Sequence, residues 1–185
     1  VIVFNLITLD GYFAGPDGDI DWHQVDEEFF EFANEQLATI GALFFGRVTY
    51  EGMAGYWPTP AAQESDPVTA DQMNRIEKYV FSTTLDRADW NNTTLVRGNA
   101  AEEVAKLKAQ PGKDLFIFGS GDLAGSLLER GLIDEYRLIM VPVVLGAGKK
   151  LFPDAGQPVK FSLLSARTFR NGNVLLSYQP ERGAQ

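Results

Sequence analysis

Residues 115–131 read LFIFGSGDLAGSLLERG. A short apolar run stops at Gly119, and a turn of small residues leads into LAGSLLERG, 123–131, a helix closed by Gly131. Buried strand, glycine turn, helix is the repeating unit of an α/β sheet. Two readings of Gly119-Ser120-Gly121 stand side by side. In one, the turn is a tight crossing between strand and helix. In the other, amides at a helix N-terminus, with no Cβ in the way and the Ser120 hydroxyl beside them, cradle a phosphate. The spacing G-x-G-x-x-x-G departs from the dinucleotide fingerprint G-x-G-x-x-G, and no Gly-Lys-Ser/Thr ending follows.

The same alternation extends along the chain. VIVFNLITL, 1–9, reads as a buried strand, and DGYFAGPDGDIDW after it as a loop. DEEFFEFANEQLA, 26–38, reads as a helix capped by Asp26 with an acidic first turn. GALFF, 41–45, is a strand, followed by a helix expected to begin near Thr49. WPTPAAQESDPVTADQMNRIEKY is mixed, helical from Thr69 onward. Strands are expected over 79–85 and 93–98, and an amphipathic helix over 100–110. EYRLIMVPVVLG, 135–146, reads as a long strand in which Pro142 marks an edge or a bulge. KFSLLSARTF, 160–169, and VLLSYQP, 174–180, flank an Asn-Gly turn and form a hairpin. The expected fold is therefore α/β, with a mixed, mostly parallel central sheet flanked by helices on both faces and closed by a C-terminal antiparallel hairpin. One domain over 1–180 and a polar tail at 181–185 complete the expected organisation.

Composition narrows the chemistry. The 185 residues carry 25 acidic against 16 basic side chains, a formal net charge of −9. Such a surface argues against nucleic acid and anionic membranes but not against a small anionic ligand held locally. The absence of Cys excludes disulfides and thiolate chemistry, and the single His, His23, excludes clustered His metal sites. Carboxylates alone could still hold Mg, but no EF-hand loop pattern occurs, and no metal is expected. No apolar stretch reaches the length of a membrane span, so a cytoplasmic protein is the expectation.

Other strand ends repeat the pattern of 119–121. In FGRVTYE, 45–51, Arg47 offers a guanidinium fork and Thr49 a hydroxyl, although either suits an ordinary surface or cap. Ser82, Thr83 and Thr84 follow the third strand, and LGAGKKLFPD, 145–154, adds Lys149 and Lys150. Asp10 and the trio Asp26, Glu27 and Glu28 are candidate acids, and Phe29 or Phe30 could stack on a heterocycle.

Taken together, TLDGYFAG with Trp22, LFFGRVTYEGM, YVFSTTL, LFIFGSG and VPVVLGAGKKLF occur in the order of the dihydrofolate reductase-like family. They cover nearly the whole chain. The resemblance is to the reductase domain of bifunctional riboflavin-biosynthesis deaminase–reductases and its stand-alone bacterial relatives. It implies a three-layer fold whose strand-end loops clasp NADPH. By that match, Gly46, Arg47 and Thr49 would hold cofactor phosphates, with Arg47 near the adenosine ribose phosphate. Ser82 and Thr83 would lie along the adenosine half. Gly119, Ser120 and Gly121, with Asp122 and Leu123 opening the next helix, would lie under the pyrophosphate. Ala14 and Gly15 would supply backbone beside the nicotinamide.

The acid that grips the substrate ring would fall, by the resemblance, at Asp26 or Glu27. The implied activity is hydride transfer to a small heterocyclic substrate, as in 5-amino-6-(5-phosphoribosylamino)uracil reduction. The alternatives are a pterin-type reductase and a non-catalytic NADPH- or nucleotide-binding module. No dense basic cluster answers a ribose phosphate. Related reductase domains pair as dimers; the VPVVLG strand would lie at such a homodimer interface, whereas a proline at a sheet edge argues against pairing there.

Overall fold

The computed structural model describes residues 1–152 and 158–181. The end of the 145–154 loop and residues 182–185 of the expected tail lie outside the described residues. An eight-stranded sheet runs in the order β5 (Thr93–Val96), β4 (Glu77–Phe81), β3 (Ile40–Gly46), β6 (Asp114–Phe118), β1 (Ile2–Thr8), β7 (Glu135–Val141), β10 (Val174–Pro180), β9 (Phe161–Thr168). The strands from β5 to β7 are mutually parallel, and β10 and β9 join antiparallel. A small ribbon pairs β2 (Tyr12–Ala14) with β8 (Lys149–Lys150).

Strand β1 is buried along its whole length, the pattern of a sheet covered on both faces. Its side chains alternate between two cores. Ile2, Phe4 and Leu6 join a cluster with Phe29, Tyr50 and Met73, which come from α1 (Glu27–Thr39), α2 (Arg47–Tyr56) and α4 (Pro67–Arg75). Val3 and Ile7, with Val1 just ahead of the strand, join a second cluster with Val104, Ala124 and Leu127, from α5 (Ala100–Lys108) and α6 (Gly121–Glu129). A period of two along the strand thus sends alternate residues into two apolar layers. None of the helices, among the described residues, is long and apolar enough to cross a membrane.

Several boundaries differ from expectation, each for a local reason. The proline-rich stretch holds two helices, α3 (Pro60–Ser65) and α4, because Thr59 and Asp66 cap them and Pro60 and Pro67 stand in their first turns. Helix α2 begins at Arg47 rather than Thr49. Strand β4 stops at Phe81, so Ser82 to Thr84 stand in the loop beyond it. Pro142 neither interrupts a strand nor marks an edge: β7 ends at Val141 and lies between β1 and β10. The edges of the sheet are β5 and β9, and on β9 Leu163 and Leu164 are 57% and 52% exposed.

Candidate functional site

The turns that leave β3 and β6 meet above the carboxyl ends of the parallel strands, where α/β sheets hold ligands. The Ser120 hydroxyl oxygen accepts from the Gly46 amide at 2.8 Å, and the Thr49 hydroxyl oxygen accepts from the Ser120 amide at 3.2 Å. Each hydroxyl keeps its own proton to donate. Gly119 has φ +58, and a Cβ there would come to 3.0 Å from Thr49. Ser120 also has positive φ, at 56°, which costs a non-glycine residue about 1–2 kcal/mol. The crossing is tight, as the plainer reading of the sequence required.

Helix caps separate that reading from the phosphate cradle. Helices α1, α3, α4 and α5 are closed at their N-termini by the side chains of Asp26, Thr59, Asp66 and Asn99. Helices α2 and α6 have no side-chain cap. Both begin on one large cavity of about 1440 Å³, lined by Arg47 to Thr49 and by Gly119 to Leu123. Uncapped N-terminal amides carry a partial positive charge and attract anions. Asp122 places a carboxylate in the first turn of α6, so an anion there would be held by amides and hydroxyls rather than by net charge.

The cavity brings together Ala14, Gly46, Arg47, Thr49, Ser82 and Thr83 with the whole run from Gly119 to Leu123. Arg47 is half exposed and paired with Glu51 at 3.0 Å, a bond weak enough to be exchanged for a ligand. Thr49 does not cap α2; its oxygen serves Ser120. The Ser82 oxygen accepts from the amides of Thr84 and Leu85, which folds the loop after β4 onto itself.

Three expected residues stand away from the cavity lining. Gly15 closes a turn in which a Cβ would meet the Asp19 carboxylate, 2.1 Å away. Asp26 accepts from the Phe29 amide at 2.9 Å as the cap of α1, and Glu27 is exposed. Neither acid lines the cavity. Asp10 is also committed: it accepts from the Thr8 hydroxyl at 2.6 Å and from the Gly146 amide at 2.7 Å. These bonds hold its carboxyl below the ordinary aspartate value, the Thr8 bond most of all. Glu28 ties α1 to the C-terminal hairpin through the amide and guanidinium of Arg170.

The cavity also holds residues that motif reading missed. Gln36, Met53, Tyr56, Trp57 and Thr69 line its far end, and His23 lines it from the loop after β2. Burial lowers the His23 pKa to about 4, so the ring is neutral at pH 7. Its Nε2 is buried without a hydrogen-bond partner. Apolar and amide residues on a helix give no sign in sequence of whether they face a core or a cavity. The Lys149–Lys150 pair, noted for its charge, lies on the cavity as well.

The RibD C-terminal domain family model matches residues 1–175. The chain belongs to that family. It is 35% identical to the uncharacterized protein YyaP of Bacillus subtilis (strain 168) over 184 residues, covering 96% of this chain and 93% of that protein. A solved structure from Shewanella sp. PV-4, of a protein whose part in riboflavin biosynthesis is itself a proposal, superposes with a TM-score of 0.74 at 23% identity over 98% of both chains. Dihydrofolate reductase from Enterococcus faecalis superposes with a TM-score of 0.66 at 17% identity, over 98% of this chain and 96% of that one. RibD C-terminal domains and dihydrofolate reductase thus share the architecture of this chain.

Proposed function

We propose that the protein is an NADPH-dependent reductase of a small flat heterocycle. The observation that carries the reading is the pair of uncapped helix N-termini, α2 and α6, that open on one cavity and are joined there by Ser120. At about 1440 Å³ the cavity exceeds the roughly 300–1,000 Å³ of a typical single-ligand site, which leaves room for a dinucleotide and a second molecule. The Enterococcus faecalis enzyme of the same fold was solved with NADP(H).

In this reading the amides of Gly121 to Leu123 and the Ser120 hydroxyl hold the pyrophosphate. Arg47, released from Glu51, and Thr49 hold the phosphate on the adenosine ribose. Ser82 and Thr83 border the adenosine half, and the Ala14 backbone borders the nicotinamide. A bound reduced nicotinamide supplies one hydride from its ring. The chain orients the two molecules and keeps bulk water from the reacting carbon. A C=N or C=O bond gains that hydride at carbon and one proton at the heteroatom. Water supplies the proton, since Asp26 is held as a cap and neither it nor Glu27 lines the cavity.

Calorimetric titration with NADPH and NADH tests the reading. Micromolar binding of NADPH supports it, and failure to bind either nucleotide overturns it.

A further inference from the structure

The two ends of the cavity differ in charge. Among the described residues that line it, the charged side chains are Arg47, Asp122, Lys149 and Lys150. Arg47 and Asp122 open α2 and α6 at the glycine end. Lys149 and Lys150 come from β8, and the Lys149 ammonium lies 3.3 Å from where a Cβ on Gly18 would sit, in the loop after β2. The opposite end, between α1, α2 and α4, is walled by Phe29, Ala33, Leu37, Met53, Trp57 and Met73.

Two aromatic rings stand at the mouth of that end, Phe30 on α1 and Tyr56 on α2, and they remain 40% and 44% exposed. Exposed apolar side chains that converge on one concavity mark a ligand surface. The polar groups there are neutral. Gln36 is buried on α1, and its Oε1 accepts from Arg137 at 3.4 Å, which leaves the Nε2 hydrogens as donors. The Thr69 hydroxyl gives its proton to neighbouring side chains and presents lone pairs. A phosphate or carboxylate at this end would lose its hydration with no cation lining the wall to replace it, since Arg137 stands behind Gln36 and is paired with Glu135.

Resting on the cofactor reading above, we infer that the substrate is a planar, uncharged, largely apolar molecule without a phosphate, seated between α1, α2 and α4 with a carbonyl or ring nitrogen accepting from Gln36 Nε2. A phosphoribosyl pyrimidine does not meet this description.

The test is calorimetry on the full chain saturated with NADP⁺. The uncharged probes are lumazine, lumichrome and menadione, and a matched pair, riboflavin and riboflavin 5′-phosphate, isolates the phosphate. The expected result is micromolar binding of at least one uncharged probe and at least tenfold weaker binding of the phosphorylated member of the pair. Binding of none of the uncharged probes overturns the inference, as does equal or tighter binding of riboflavin 5′-phosphate. Phe30→Lys, at a position 40% exposed, places a cation at the mouth. It should reduce the preference against the phosphorylated member about tenfold, and an unchanged preference places the ligand elsewhere and overturns the inference. A separate NADPH titration of the unliganded protein distinguishes failure of the cofactor reading from failure of the substrate class.

Discussion

At the glycine end of the cavity, main chain supplies the polarity: free amides at the starts of α2 and α6, held together by Ser120 and Thr49. At the opposite end, side chains supply the surface, and they are aromatic, aliphatic or neutral amide. On the proposed reading, one cavity thus carries two kinds of site. Backbone amides recognise phosphate whatever is attached to it, so the first end suits a common nucleotide. Apolar walls recognise shape, so the second end suits one particular molecule.

The contrast can be broken most severely at Gly121. A Cβ there would press on the Phe13 ring at 2.9 Å, and branched γ-carbons would cover the first amides of α6. Gly121→Val should weaken NADPH about 100-fold, or about 2.7 kcal/mol. Circular dichroism would confirm folding, and unchanged affinity in the folded variant removes the cradle. Ser120→Ala attacks the seam itself by leaving the Gly46 amide without its acceptor. A loss of about 1–3 kcal/mol in urea unfolding is expected, whereas a neutral result would show that the hydroxyl does not join the two turns.

Arg47→Ala should cost about tenfold for NADPH and little for NADH, measured by paired titrations. Equal losses would detach Arg47 from the adenosine phosphate. Stability should barely change, because the Glu51 pair it leaves is exposed. Tyr56→Ala, at the other end, should weaken an uncharged probe several-fold while leaving NADPH affinity as it was.

The smallest effect is on pH dependence. His23 has a pKa of about 4 in the folded chain against 6.5 unfolded. On acidification the unfolded chain takes the proton first, so stability is constant above pH 6.5, falls between 6.5 and 4, and falls no further from this cause below 4. Melting temperatures across that window should slope for the natural sequence and flatten in His23→Phe.

The parallel sheet could be read from sequence because its signals are local: an unbroken apolar run in β1, and glycine turns after β3 and β6. The Thr59-Pro60 and Asp66-Pro67 pairs were equally local, each a cap followed by a helix-starting proline, yet three prolines in one stretch obscured them. Asp26 shows the limit more sharply. One carboxylate suits a cap or a catalytic acid, and only the bond to the Phe29 amide decides between them. The apolar end could be read only at Phe29 and Phe30, as candidates to stack on a heterocycle, and not which of the two stands open. Phe29 and Phe30 are adjacent and chemically identical; one is buried, the other stands at the mouth.

Asp10 has a mechanical consequence. Its carboxylate ties the root of the loop after β1 to Gly146, and the β2–β8 ribbon fastens the next residues. Further on, the Gln24 carbonyl is gripped by Asn171 and Asn173 at 3.2 and 2.7 Å. Residues 15–23 bridge these anchors, folded by the bonds of the Gly15 amide to the Asp19 carbonyl and of the His23 amide to the Ile20 carbonyl. Any swing of this segment over the cavity would have to hinge at its two fixed ends.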